Sequence, residues 1–148
     1  MRHNFYSQVK AKPLPDIKLL GKLLAGAGKL LKISKESEIT ILLVGDGKIR
    51  KLNKEYRHKD KVTDVLSFSQ QEGLALQPAS RSAYLGDIII SYPQVKRQAK
   101  KFGLSPQKEL AFLIIHGLLH LLGYQDKTIK QYTIMENIQN KILSKFYD

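Results

Sequence analysis

The sequence contains no cysteine and no tryptophan. The absence of cysteine excludes disulfides and thiolate metal ligands, so any metal must be held by histidine and carboxylate. No apolar run approaches the roughly 18 residues of a membrane-spanning helix, and Met1-Arg-His-Asn-Phe-Tyr lacks the apolar core of a secretory signal. The expectation is a cytoplasmic protein with no membrane association. Acidic residues are scarce: 13 Asp+Glu stand against 25 Lys+Arg, for a net charge of +12. A field of that sign draws in polyanions with salt-sensitive, sequence-blind affinity. It favours nucleic acid over an anionic membrane surface as partner, without choosing between RNA and DNA.

What is present fits one domain over residues 1–148, large enough to bury a core. The chain is 43% hydrophobic and 26% charged, the balance of an ordinary globular protein. There are no repeats, low-complexity tracts or linkers. A short edge strand is expected around Asn4–Val9. From Pro15 or Asp16 to Leu31, the residues Ile17, Leu20, Leu24, Ala27 and Leu31 step by three and four, which predicts an amphipathic helix. Gly26 and Gly28 weaken it or let it pack closely against a neighbour. Glu38–Val44 reads as a strand, and Asp46 as the cap of a helix from Lys48 to about Tyr56. A charged loop over Arg57–Lys61 leads to a strand over Thr63–Phe68. A long loop, with Gly73 and Pro78, spans Ser69–Tyr84. The run Leu85–Ser91 is a third strand, its isoleucines fit for burial on both faces. Ser91 and Pro93 open a basic helix that Gly103 ends. Ser105 and Pro106 start the next helix as cap and first residue. A last helix runs from about Thr128 to Phe146 on a stripe of Met135, Ile138, Ile142 and Phe146. The class is α+β: a small mixed sheet covered by helices.

The helix that Ser105 opens carries the chemistry. Glu109-Leu-Ala-Phe-Leu-Ile-Ile-His116-Gly-Leu-Leu-His120-Leu-Leu-Gly123-Tyr-Gln-Asp126 is nearly all apolar, as befits a segment buried on most sides. Its two histidines, four apart, share one edge of the helix. Four ring nitrogens in so dry a place need partners, and a metal ion supplies one. Gly123 stops the helix, and a returning loop can bring Asp126 beside the imidazoles. Taken alone, an Asp just past a helix is more often a cap or turn residue. The spacing H-x3-H-x2-G-x2-D is that of a helix-borne zinc site. Zinc peptidases of similar spacing carry a general-base Glu directly after the first His. Gly117 stands there and cannot move a proton, so a peptidase is disfavoured.

Three stretches together resemble the bacterial YbeY endoribonucleases. They are Leu52-Asn53-Lys-Glu-Tyr56-Arg57-His-Lys59-Asp60-Lys-Val-Thr63-Asp64-Val65-Leu66-Ser67-Phe68, then Leu85-Gly86-Asp87-Ile88, then His116-Gly117-Leu-Leu119-His120-Leu121-Leu-Gly123-Tyr124. They occur in the family's order and spacing. The resemblance implies a zinc-dependent endoribonuclease that prefers single strands. It further implies action in ribosomal RNA processing, notably at the 3′ end of the small-subunit RNA, and in ribosome quality control. The implied partners are precursor ribosomal RNA, the small ribosomal subunit and ribosome-assembly proteins. The implied fold is a sheet of about four strands, with the metal site on the central helix.

The sequence departs from that family's pattern at the metal site. The usual ending is Gly-Tyr-Asp-His, the last His being the third ligand; here it is Gly123-Tyr124-Gln125-Asp126. Aligned without a gap, Asp126 takes the ligand position, and two His with one acid suit zinc or another divalent metal. Alternatively Asp126 is the motif's acid displaced by one, and the third ligand is lost. Val62 and Ser69 replace usual prolines, and His58 a usual glycine.

The mechanism expected is metal-assisted phosphodiester cleavage, with His116, His120 and Asp126 holding one zinc ion. Arg57 clamps a phosphate; read without the resemblance, it is equally an exposed salt-bridging arginine. Lys96, Arg97, Lys100 and Lys101 are candidates to line an RNA groove, although such runs are usually a solvated face. His58 reads as a solvated histidine before a proton carrier, Asp64 and Asp87 as structural hydrogen-bonding groups, and His3 as incidental. The rival of a different class is a non-catalytic, basic RNA- or ribosome-binding assembly factor whose metal is structural or lost.

Overall fold

Alternation of apolar residues in two strands decides how the helices are laid out. In β2 (Glu38–Val44) and β4 (Tyr84–Ser91), successive side chains point to opposite faces of the sheet. Ile39, Ile41 and Leu43 of β2 and Ile88 and Ile90 of β4 enter the main core. Leu42, Val44 and Ile89 face a smaller cluster with Ile49, Leu52, Leu66 and Phe68 on the other side. The computed structural model describes residues 1–70 and 84–147 of the chain. Within them the remaining elements are β1 (Arg2–Ser7), α1 (Ile17–Leu30), α2 (Asp46–Arg57), β3 (Val65–Ser69), α3 (Tyr92–Phe102), α4 (Pro106–Leu121) and α5 (Ile129–Leu143). The sheet order is β1-β2-β4-β3. β1, β2 and β4 run parallel and β3 is antiparallel, so this is the expected small mixed sheet in an α+β domain. Helix α2 covers the smaller cluster, while α1 and α4 lie in the main core.

Local chemistry sets most boundaries. Ser91, Ser105 and Thr128 cap α3, α4 and α5 by accepting backbone N–H groups of the first turn, which satisfies donors that have no intrahelical partner. Helix α4 is buried around most of its circumference, as its apolar sequence requires.

Several expectations are corrected. The first strand is Arg2–Ser7 rather than Asn4–Val9, and the strand expected over Thr63–Phe68 is β3, which begins at Val65. Helix α1 starts after Asp16, whose carboxylate accepts from Leu19 N–H. Its Ile17 is 46% exposed, and Leu23 takes a core place instead. The cap of α2 is Gly45, not Asp46; the Asp46 carboxylate accepts from Ser91 Oγ at 2.7 Å and from Arg97 at 2.9 Å. Arg57 is the last residue of α2, not the start of a loop. His58 ends that helix with φ +61°, a left-handed conformation usually left to glycine. Helix α5 ends at Leu143, short of Phe146. Met135, Gln139 and Ile142 form its buried stripe, with Ile138 and Phe146 half-buried beside it. Of the loop expected over 69–84, residues 71–83 lie outside the described residues.

Candidate metal centre and its cleft

The geometry of the centre follows from how α4 ends. Gly123, at φ +98°, lets its own N–H reach His120 O and lets Tyr124 N–H reach Leu119 O, both at 3.0 Å. This paired closure of a helix end is the Schellman motif. It turns the Tyr124 carbonyl back onto the helix, 2.9 Å from His120 Nδ1. A carbonyl only accepts, so His120 Nδ1 carries the proton and its Nε2 presents a lone pair. The same turn delivers Asp126, whose Oδ2 lies 3.5 Å from His116 Nε2 and 3.3 Å from His120 Nε2. The two Nε2 atoms are 3.1 Å apart. Burial of His116 holds its pKa below the usual histidine value, as does the neighbouring His120, against the opposing pull of Asp126 and Asp64.

These distances test whether the residues fit a metal. A tetrahedral ion bound at about 2.1 Å sets its ligand atoms about 3.4 Å apart. The three separations found, 3.1, 3.3 and 3.5 Å, bracket that edge. Three groups able to ligate a metal converge on one point, and the His120 tautomer is the one a Nε2–metal bond needs. The donor set fits a borderline divalent cation such as zinc. Asp126 stands beside both histidines as a third candidate ligand.

Around this point runs a cleft of about 520 Å³ that also takes in Asn53, Arg57, Lys59, Lys61, Asp64 and Ser67. Arg57 donates to the carbonyl of Ser67 at 2.7 Å and lies over the Phe68 ring, 4.9 Å from its centroid. Ser67 in turn donates from Oγ to Gly117 O at 3.2 Å, linking the support of Arg57 to the helix that carries the histidines. Arg2, Arg50 and Arg97 each pair with a carboxylate. Arg57 makes no ion pair among the described residues, so its positive charge is left to face the cleft.

Gly117 packs directly on β4. A Cβ there would lie 2.7 Å from Ile88 Cγ2 and 3.1 Å from Ser67 Oγ. The position that a zinc peptidase gives to its general base has no room for any side chain.

Other expected residues stand elsewhere. Lys96, Arg97, Lys100 and Lys101 on α3 are not among the described residues lining the cleft. Arg97 is engaged by Asp46 and Gln94, Lys96 lies over the Tyr92 ring, and Lys101 over Phe102. His58 is a helix terminus rather than a lining residue. Asp64 does line the cleft, and its carboxylate accepts from Val65 N–H at 2.7 Å and from Gln98 at 3.3 Å. Asp87 accepts from the Tyr84 hydroxyl. Both have the hydrogen-bonding surroundings expected of structural groups. Three residues went unread. Lys59 and Lys61 lay inside a recognised block but had no signal separating them from other surface lysines. Gln139 had one: a polar residue four after Met135 and three before Ile142 falls on the core face of α5.

Fold and site together define a small α+β protein with a two-histidine, one-carboxylate candidate metal centre at the end of a buried helix, under a cationic cleft. The sequence profile of the family described as Endoribonuclease YbeY matches residues 4–147. The chain is 38% identical over 142 residues to the Endoribonuclease YbeY of Pelotomaculum thermopropionicum, covering 94% of this chain and 93% of that protein. It is 40% identical over 141 residues to that of Macrococcus caseolyticus, covering 95% and 90%. The solution structure of a Thermotoga maritima protein matches with a TM-score of 0.59 at 25% identity, over 97% of this chain and 90% of the other. The chain belongs to the YbeY endoribonuclease family.

Proposed function

We propose that this protein is a metal-dependent endoribonuclease that cuts single-stranded RNA, working on precursor ribosomal RNA in the cytoplasm, and that residues 1–148 form one such domain. The observation that carries the reading is the convergence of His116 Nε2, His120 Nε2 and Asp126 Oδ2 at 3.1 to 3.5 Å, in a cleft shared with Arg57, which makes no ion pair among the described residues. We assign His116, His120 and Asp126 as ligands of one zinc ion. When bound there, zinc supplies Lewis-acid stabilisation of charge developing on a phosphoryl oxygen. The other roles belong to the chain. Arg57 holds a non-bridging phosphate oxygen through its planar guanidinium, already oriented by the Ser67 carbonyl and the Phe68 ring. Lys59 and Lys61 hold neighbouring phosphates of the strand. Family membership supports RNA as the substrate and ribosomal RNA maturation as the setting, with the small ribosomal subunit and its assembly proteins as partners. Among the described residues no helix is long and apolar enough to cross a membrane, which accords with that setting.

The test measures zinc content and cleavage of a single-stranded RNA on the same preparations of wild type, Asp126→Ala and Arg57→Ala. About one zinc per chain is expected in wild type and Arg57→Ala, with metal lost in Asp126→Ala and cleavage lost in both variants. Wild type that takes up no zinc and leaves RNA intact would instead identify a non-catalytic RNA-binding protein.

A further inference from the structure

Behind the three ligand atoms lies a side chain with no assigned role. Gln139 projects from α5 into the core, where it is 3% exposed. Its amide nitrogen stands 2.7 Å from His116 Nδ1. In that orientation the amide donates, Nδ1 accepts, and the His116 proton sits on Nε2. The network then closes without a gap. His116 Nε2–H donates to His120 Nε2 across 3.1 Å, and His120 Nδ1–H donates to Tyr124 O across 2.9 Å.

That arrangement satisfies the pair without a metal but blocks His116 as a ligand, because the nitrogen facing Asp126 carries a proton. Ligation needs the other tautomer, with the proton on Nδ1 and the lone pair on Nε2. An amide serves both states: turned about its terminal bond, Gln139 offers Oε1 in place of the nitrogen and accepts from Nδ1–H. A carboxylate can only accept and favours the ligating tautomer alone. A thioether of similar length supports neither state well.

Resting on the metal-centre reading above, we infer that Gln139 is a positioning residue that serves His116 in two states. It holds His116 in the Nε2–H form without metal and reverses its amide to hold the Nδ1–H form with metal. The support for His116 is thus not on the helix that carries it but on the next one.

The test uses the full chain, stripped of metal, as wild type, Gln139→Glu and Gln139→Met. Zinc ion is titrated against a competing chelator at a temperature where each is folded. Replacing such a supporting partner typically weakens metal binding by roughly 10- to 100-fold, and that loss is expected for Gln139→Met. Gln139→Glu, which keeps the acceptor, is expected to bind zinc at least as tightly as wild type to within a few-fold. Nitrogen-15 correlation spectra of the His116 ring in wild type should place the proton on Nε2 without zinc and on Nδ1 with it. If Gln139→Met fails to fold, the wild-type spectra and Gln139→Glu decide. Unchanged zinc affinity in Gln139→Met, weak binding in Gln139→Glu, or an Nδ1 proton already present without metal would overturn the inference while leaving the metal centre standing. Wild type that binds no zinc would overturn both.

Discussion

Arg57 owes its readiness to neutral partners. A carboxylate would have spent its charge; the Ser67 carbonyl and Phe68 ring orient the guanidinium and leave the charge available. Arg57→Lys keeps the charge but loses the planar fork. Cleavage efficiency should fall by roughly 10- to 100-fold, equivalent to about 1.4–2.8 kcal/mol of transition-state stabilisation, with zinc content and thermal unfolding unchanged. Steady-state kinetics beside metal analysis checks this. Gly117 sets a different constraint. Its missing side chain lets α4 rest on Ile88 and Ser67, so Gly117→Ala should separate helix from strand and lose about 1–3 kcal/mol, the usual cost of overpacking, read from urea unfolding. The pairing of His116 and His120 was legible because their spacing is local. Asp126 was legible through Gly123, whose left-handed conformation allowed a returning turn, although the spacing alone did not fix the distances that turn sets.

Among the elements, the helices were readable where their signals are short-range: Ser105 caps as expected, and Ser91 and Thr128 cap the helices expected to begin at them. The end of α2 was not, because its left-handed residue is His58 instead of glycine. A side chain in that conformation costs about 1–2 kcal/mol, partly offset by glycine's greater freedom when unfolded. His58→Gly should therefore stabilise the fold by up to about 1 kcal/mol, measured by urea unfolding, without altering metal uptake. Helix α4 carries a second cost. Burial pushes the Glu109 carboxyl pKa up, opposed by the hydrogen bond from Gln98 and reinforced by Asp64. A raised folded-state pKa contributes stability below the ordinary glutamate range and loses it as pH rises through the folded value. Glu109→Gln keeps an acceptor for Gln98 and does not ionise. Its stability should exceed that of wild type at neutral pH, with the difference shrinking as pH falls toward the glutamate range. Paired unfolding curves across that window give the sign.

For the whole molecule, charge excess indicated a polyanionic partner but not where it sits. The basic face of α3 drew attention because four cations cluster in sequence, yet the cleft gathers Arg57, Lys59 and Lys61 from the far end of α2 and the segment after it. Only the fold brings those to the histidines. If these three residues neutralise three phosphates, the logarithm of RNA affinity should fall with the logarithm of salt with a slope of about −2, at about −0.7 per contact on a single strand. Lys59→Ala and Lys61→Ala should each flatten that slope by about 0.7, while Lys100→Ala should not. Titrations at several ionic strengths separate the two surfaces.

The contact between Gln139 and His116 also sets an order of events in synthesis. The two histidines leave the ribosome's exit tunnel before the helix that packs Gln139 against one of them, so a nascent chain exposes His116 and His120 before α5 has docked. The site acquires its full support late, and a chain arrested between Asp126 and Gln139 would carry His116, His120 and Asp126 without the amide behind them.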